Sequence, residues 1–295
     1  MQREPSPAPL VVEAAGSRTA VYAYGPPDAP AVLAVHGFRG THLGLEPLAR
    51  ALAARGLRVL VPDLPAAGAS TPLPGRHDVD GHAAWLLALS ERLGTPPVLL
   101  GHSFGSVVVG AAVARGIGHR AVVLVNPIAT DPLAANRRGA VAVTRLYYGL
   151  VRRLPARPAR ALLAHRLVAV LTSELMATST DRGHRRWMRA EHVRQADMFA
   201  GRDPVLEAFA ASTDATVRDH AGAFGAPTLL VAGERDDLGP VPAQEALAAL
   251  VPDGSLVVLP RVGHLIHFEA TEEAADAVAG WLPQHAGAAD PIEDR

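Results

Sequence analysis

The sequence predicts an α/β fold: a mostly parallel twisted sheet with helices on both faces, interrupted by an inserted all-helical segment. Three observations carry this. Short β-type runs alternate with helical patterns at both ends of the chain. The runs are apolar throughout instead of alternating, as expected for parallel strands covered on both faces. The alternation stops near Thr130 and resumes near Pro227, and the stretch between reads as helices only.

The strand-like runs come in order. Ala31–Val35 leads into His36-Gly37, Val59–Val61 into Pro62-Asp63, and Val98–Leu100 into Gly101. Val122–Val125 leads into Asn126-Pro127, Thr228–Val231 into Ala232-Gly233, and Leu256–Leu259 into Pro260. Helical patterns fill the gaps at Leu45–Arg55, Asp78–Leu93, Phe104–Arg115, Ala243–Leu250 and Glu272–Trp281. Leu86, Leu87, Leu89 and Leu93 recur at helical spacing in the second of these. We read residues 1–129 and 221–295 as the α/β core and 130–220 as the insertion. In such sheets functional groups gather beyond the carboxyl ends of the strands.

Composition narrows the chemistry. Of 295 residues, 49% are apolar and 19% charged, which is neither a disordered nor a fibrous composition. There is no cysteine, so disulfides, a thiol nucleophile and cysteine-ligated metals are excluded. There is no lysine either, which excludes a Schiff-base or P-loop lysine. The net charge of -1 exerts no global pull toward nucleic acid or membrane. That charge is unevenly spread: Thr130–Arg202 holds 14 arginines against 5 acids, and the remainder holds 14 arginines against 24 acids. Glu4 and three prolines open the chain where a secretory signal needs a basic stretch and an apolar run. No window is long and apolar enough to span a bilayer. The expectation is a soluble, cytoplasmic protein with a frayed acidic tail from Ala286 to Arg295.

Gly101-His102-Ser103-Phe104-Gly105 is a G-x-S-x-G between an apolar strand and a helix. That context puts the serine on a sharp strand-to-helix turn with its hydroxyl above the sheet. A serine needs a base. Of 13 histidines, His264 lies just past the last strand, in a loop that reaches the same edge. His267 makes an H-x-x-H pair with it, but no further ligand is spaced to join, so no metal is expected. His102 reads as packing. The base needs an orienting carboxylate, and Gly233-Glu234-Arg235-Asp236-Asp237 follows the penultimate strand. Asp236 is the choice and Asp237 the rival. For an oxyanion, the backbone amides of Phe38, in His36-Gly37-Phe38-Arg39-Gly40, and of Phe104 form the natural donor pair. His36 reads as a loop brace.

These motifs together resemble the α/β-hydrolase fold superfamily. H-G-x-x-G after the third strand, G-H-S-x-G at the elbow, a carboxylate after the seventh strand and G-H in the last loop occur in that order. Pro62-Asp63-Leu64 with Gly68-Ala69-Ser70 resembles a further family stretch, with an alanine where a first glycine is usual. The resemblance covers roughly residues 10–129 and 221–295. It implies a Ser103–His264–Asp236 triad, no cofactor and a helical cap over the site. Ser103 disfavours the relatives that use an aspartate nucleophile. The expected activity is hydrolysis of a small-molecule carboxylic ester or related acyl bond through an acyl-enzyme. C–C bond hydrolysis, lactone opening, acyl transfer and cofactor-free peroxidation share this constellation, and so does a slow-turnover ligand-binding protein. The basic segment reads either as a solvated face or, through Arg185, Arg186 and Arg189, as an entrance favouring anionic substrates. Its aromatics do not interleave with the arginines as base-stacking residues do, so nucleic acid is not an expected partner.

Overall fold

A computed structural model describes residues 5–94, 97–131 and 138–285. The expected frayed tail at 286–295 lies outside the described residues. Eight strands form one sheet: β1 (Leu10–Ala14), β2 (Ser17–Tyr24), β3 (Ala31–Val35), β4 (Arg58–Pro62), β5 (Val98–His102), β6 (Ala121–Val125), β7 (Thr228–Gly233) and β8 (Gly254–Leu259). Their spatial order is β1-β2-β4-β3-β5-β6-β7-β8. β2 pairs antiparallel with both β1 and β4, and every pairing from β4 to β8 is parallel.

All six strands anticipated from apolar runs are present. β1 and β2 were not anticipated. β1 is a mostly exposed edge, whereas β2 carries its own apolar run, Ala20–Tyr24, with Val21, Tyr22 and Tyr24 buried beside the polar Ser17 and Thr19. A two-residue turn joins them, with Ala15 and Gly16 both at positive φ, the geometry of a tight hairpin.

The helices α1 (His42–Ala53), α2 (Val79–Leu93), α3 (Phe104–Ala114), α9 (Val241–Leu250) and α11 (Thr271–His285) sandwich the sheet. Alternate residues of each central strand serve opposite faces. Leu33, Val35, Leu99, Val122 and Leu124 pack with α2, α3 and α9. Val32, Ala34, Leu100, Val123 and Val125 pack with α1 and α11. Both faces are covered, so both sets must be apolar, and this is why the runs do not alternate. Side-chain caps start two of these helices: Thr41 accepts from the Leu43 amide and Asp78 from the Gly81 amide.

Between β6 and β7 the chain forms α4 (Arg138–Arg153), α5 (Ala156–Leu163), α6 (Arg166–Met176), α7 (Arg182–Gln195) and α8 (Arg202–Asp214), and among the described residues of this stretch no strand occurs. A 3-10 helix, Val217–Ala223, follows and packs on α3. The short α10 (Ile266–Glu269) precedes α11.

The helical segment is fastened to the carboxyl edge of the sheet at several points. Arg39, just past β3, donates to the carbonyls of Leu163 (2.7 Å) and Ala196 (3.0 Å), at the C-terminal ends of α5 and α7. A cation there satisfies exposed carbonyls and opposes the helix dipoles. Its guanidinium also lies over the Phe199 ring, with Arg160 4.8 Å from the same ring. Gln195 Oε1 accepts from the Thr41 amide and hydroxyl, both at 3.0 Å.

Strain gathers at the same edge. Among the described residues six non-glycine residues have positive φ, and five of them follow β3, β4, β5, β6 or β8: Arg39, Ala66, Ser103, Asn126 and Arg261. Such conformations persist only where the surroundings hold them, and they concentrate at functional sites.

Candidate active site

Ser103 sits at φ 53°, ψ −120°, between β5 and α3. Two glycines make this turn possible. A Cβ on Gly105 would lie 2.1 Å from the Val35 carbonyl oxygen, and one on Gly101 would lie 2.6 Å from the Gly105 carbonyl oxygen. The Ser103 amide donates to the Val125 carbonyl (3.1 Å), which ties the turn to β6. The Ser106 hydroxyl bridges the Ser103 carbonyl and the Ile128 amide.

The structure brings Ser103, His264 and Asp236 together. His264 Nε2 lies 2.8 Å from Ser103 Oγ, and His264 Nδ1 lies 2.8 Å from Asp236 Oδ2. An ionised carboxylate only accepts, so Nδ1 carries the proton and Nε2 accepts from the serine hydroxyl. Asp236 and His264 are buried, and the second Asp236 oxygen accepts from the Leu238 amide at 2.9 Å. Asp237 is exposed, whereas Asp236 is buried and meets His264 Nδ1. The turn after β7 selects between them. Arg235 N–H donates to the Val262 carbonyl and Asp236 N–H to the Gly233 carbonyl, which leaves Asp236 facing inward.

Phe104 opens α3, so its N–H belongs to the first-turn donors that lack an intrahelical acceptor. Gly37 packs against Ser103: a Cβ on it would lie 3.1 Å from Ser103 Cβ. Phe38 follows in the same loop, and a Gly40-to-Gly37 turn closes it. His36 fixes this loop. Its Nδ1–H donates to the Gly37 carbonyl (2.9 Å), and its Nε2 accepts from the Leu64 amide (3.0 Å). Those roles require the neutral ring, and burial pushes its pKa down. The Phe38 ring meets Tyr148 and Phe209 of the helical segment at 6.0 and 5.9 Å. A cavity of about 50 Å³ is lined by Phe38, Phe104, Leu64, His82, Phe199 and Val205.

One residue missed by the sequence reading joins the loops that carry His264 and Asp236. Asn126, fully buried and at φ 43°, donates from Nδ2 to the Gly263 carbonyl (3.0 Å). Its Oδ1 accepts from the Gly233 amide (2.8 Å). An asparagine directly after an apolar strand was the available signal, because asparagine tolerates positive φ better than other side chains. Asn126→Ala leaves two buried backbone groups unpaired. It is expected to cost roughly 2–4 kcal/mol, read as a drop in the urea midpoint at unchanged m-value. On the other side of the His264 loop, Glu269 accepts from Thr178 and Ser179 of the helical segment, and Thr178 Oγ1 accepts from the Gly263 amide.

Further imidazoles lie behind His264. The His102 ring centroid is 5.6 Å from that of His264 and 4.1 Å from that of His267. Burial pushes His102 down to about 3 and His267 well below its ordinary value. His82, edge-on to Phe104, is pushed down to about 4, again mainly by burial. These folded-state values lie below the unfolded value of about 6.5. Between roughly pH 4 and 6.5 the unfolded chain therefore binds more protons, so stability present above pH 6.5 is lost as pH falls through that window. Thermal midpoints are expected to drop from pH 7 to pH 5, with His82 alone contributing roughly 2 kcal/mol. His82→Gln should flatten that slope; an unchanged slope would assign it to other groups. Among the described residues, no group of three or more histidines, aspartates or glutamates is arranged to hold a metal ion. No described helix is long and apolar enough to cross a membrane.

The basic segment is partly spent on itself. Arg185 pairs with Glu174 and also donates to the Ser179 carbonyl, and Arg189 reaches the same glutamate at 3.2 Å. Two of the three arginines offered as an anion-favouring entrance are thus engaged in holding α6 to α7. Met188, fully buried, packs with Leu265 and Phe268, the residues that follow His264.

An open, mostly parallel sheet with a serine elbow and an adjoining histidine–carboxylate pair defines a hydrolase-type enzyme. The chain matches the alpha/beta hydrolase fold family over residues 30–271, and it belongs to that family. Two curated relatives are similar along most of its length. A mouse (Mus musculus) sn-1-specific diacylglycerol lipase is 25% identical over 86% of this chain and 81% of that one. The dihydrolipoyllysine-residue acetyltransferase component of an acetoin cleaving system from Pseudomonas putida is 27% identical over 95% of this chain and 70% of that one. Among solved structures, an esterase from Thermogutta terrifontis superposes with a TM-score of 0.72 at 25% identity, covering 95% of this chain and 99% of that one.

Proposed function

We propose that this enzyme is a serine hydrolase that cleaves small-molecule carboxylic esters through an acyl-enzyme. The observation that carries the reading is the continuous hydrogen-bonded line from Ser103 Oγ through His264 to Asp236, with both links at 2.8 Å. Ser103 Oγ attacks the ester carbonyl carbon while His264 Nε2 takes its proton. The Phe38 and Phe104 amides hold the tetrahedral oxyanion. The C–O bond to the leaving alcohol then breaks, and His264 returns the proton to that oxygen. Water, deprotonated by His264, attacks the acyl carbon; the bond from that carbon to Ser103 Oγ then breaks, His264 returns the proton to Oγ, and the carboxylic acid leaves. Asp236 keeps the imidazole in the required tautomer and stabilises the imidazolium. Asn126 is a positioning residue in this scheme, because it fixes the distance between the two loops.

The helical segment, residues 130–220, serves as a cap. Its fastening to the Phe38 loop by Arg39 and to the His264 loop through Thr178 and Glu269 supports this role. The esterase and lipase among its relatives favour an ester over the other acyl bonds this arrangement handles. The experiment is an activity panel of p-nitrophenyl esters of graded chain length, run beside lactones and vinylogous diketones. Ester turnover well above the other two, abolished by a fluorophosphonate, is the expected result. Turnover confined to diketones or lactones would replace the ester reading.

A further inference from the structure

Helix α4 has two unlike faces. The inner face packs on the site: Val151 is fully buried, and the Tyr148 ring stacks on Phe209 at 3.8 Å beside Phe38. The outer face exposes Val143, Leu146 and Leu150, at spacings of three and four, with the three side chains 49–72% exposed. A surface helix normally turns such a stripe inward. Here the inner face is already taken, so the stripe is a second apolar surface. Its flank is cationic. Arg145, Arg152 and Arg153 are exposed, and with Leu146 and Gly149 they line one shallow groove. From Arg138 to Ser173 the chain carries seven arginines and no acidic residue. Within that stretch α6 exposes Leu167 and Leu171 beside Arg166.

An apolar stripe bordered by arginines, on a helix too polar to span a bilayer, is the pattern that lies in the plane of a lipid interface. The leucines enter the acyl boundary while the arginines reach anionic headgroups. A second copy of the chain is the poorer occupant, because two such arginine-flanked faces repel each other. We infer that the outer face of α4 docks the enzyme on anionic lipid surfaces. Docking there sets the site just behind α4 next to the interface, which suits substrates carried in lipid. The inference stands on the surface alone: vesicle binding is read without turnover, so its failure and that of the esterase reading are separable.

The test is flotation of the full chain with phosphatidylcholine vesicles, with and without phosphatidylglycerol, at low and high salt. Binding is expected to phosphatidylglycerol vesicles only, weakening as salt rises. Arg145→Gln, Arg152→Gln and Arg153→Gln together should lower partition by on the order of 100-fold. Leu146→Ser with Leu150→Ser should lower it by at least roughly 10-fold. Both variants should keep wild-type circular dichroism and turnover of a soluble ester. Absence of wild-type flotation, or equal flotation with neutral vesicles, overturns the proposal. So does a leucine variant that still floats but turns a sedimenting dimer into a monomer, because the stripe is then a self-association surface.

Discussion

Ser103→Ala is expected to lower ester turnover by on the order of 10³-fold or more, leaving only what binding and the oxyanion donors supply. The expectation follows from local geometry. The hydroxyl is held at a positive-φ elbow, 2.8 Å from an imidazole nitrogen that can only accept. Nothing else in the turn can take over: Ser106 is engaged with the Ser103 carbonyl and the Ile128 amide. Because the substitution removes one oxygen from a half-buried side chain, the fold should be retained and the thermal midpoint should change little. Loss of activity with an unchanged midpoint assigns the effect to chemistry. Near-wild-type turnover in the variant removes Ser103 from the reaction.

Asp236→Asn should cost on the order of 10²–10⁴-fold in kcat, and Asp237→Asn should stay near wild type. An amide at position 236 can still meet His264, but it offers N–H as readily as oxygen, so the ring loses the bias that keeps its proton on Nδ1. It also loses the charge that stabilises the imidazolium. The Leu238 amide holds the side chain in place through its other oxygen, so the geometry should survive while the electrostatics do not. Steady-state kinetics on one good ester, with both variants side by side, reads this directly. The reverse ranking would transfer the role to Asp237. Equal mild losses would send the search to another carboxylate, such as Asp131 beyond β6.

What the sequence made legible divides along physical lines. Strands buried on both faces must be apolar throughout, and β3 to β8 were visible for that reason. The β1–β2 hairpin carried a weaker signal: β1 is mostly exposed, and the start of β2 is polar, with Thr19 accepting from the Trp85 indole N–H, although the apolar run Ala20–Tyr24 follows it. The serine elbow was legible because its requirements are local, with two glycines, one serine and a strand-to-helix switch in five residues. The choice between Asp236 and Asp237 was not fixed by spacing, since adjacent residues share it. A turn anchored to Val262 in another loop makes that choice. Asn126 escaped because its partners, Gly233 and Gly263, lie more than a hundred residues away in sequence. The fate of Arg185 and Arg189 was likewise unreadable, because only the packing of α6 on α7 brings Glu174 between them.

The central claim is that Ser103 carries the acyl group. Rapid quenching of the enzyme in acid during turnover of a p-nitrophenyl ester, followed by peptide mass spectrometry, tests it most directly. The account predicts a mass increase equal to the acyl group on the peptide containing Ser103, formed in a burst with p-nitrophenol release and absent from Ser103→Ala. Turnover with no acyl adduct on that peptide, or with the adduct on another residue, would contradict it.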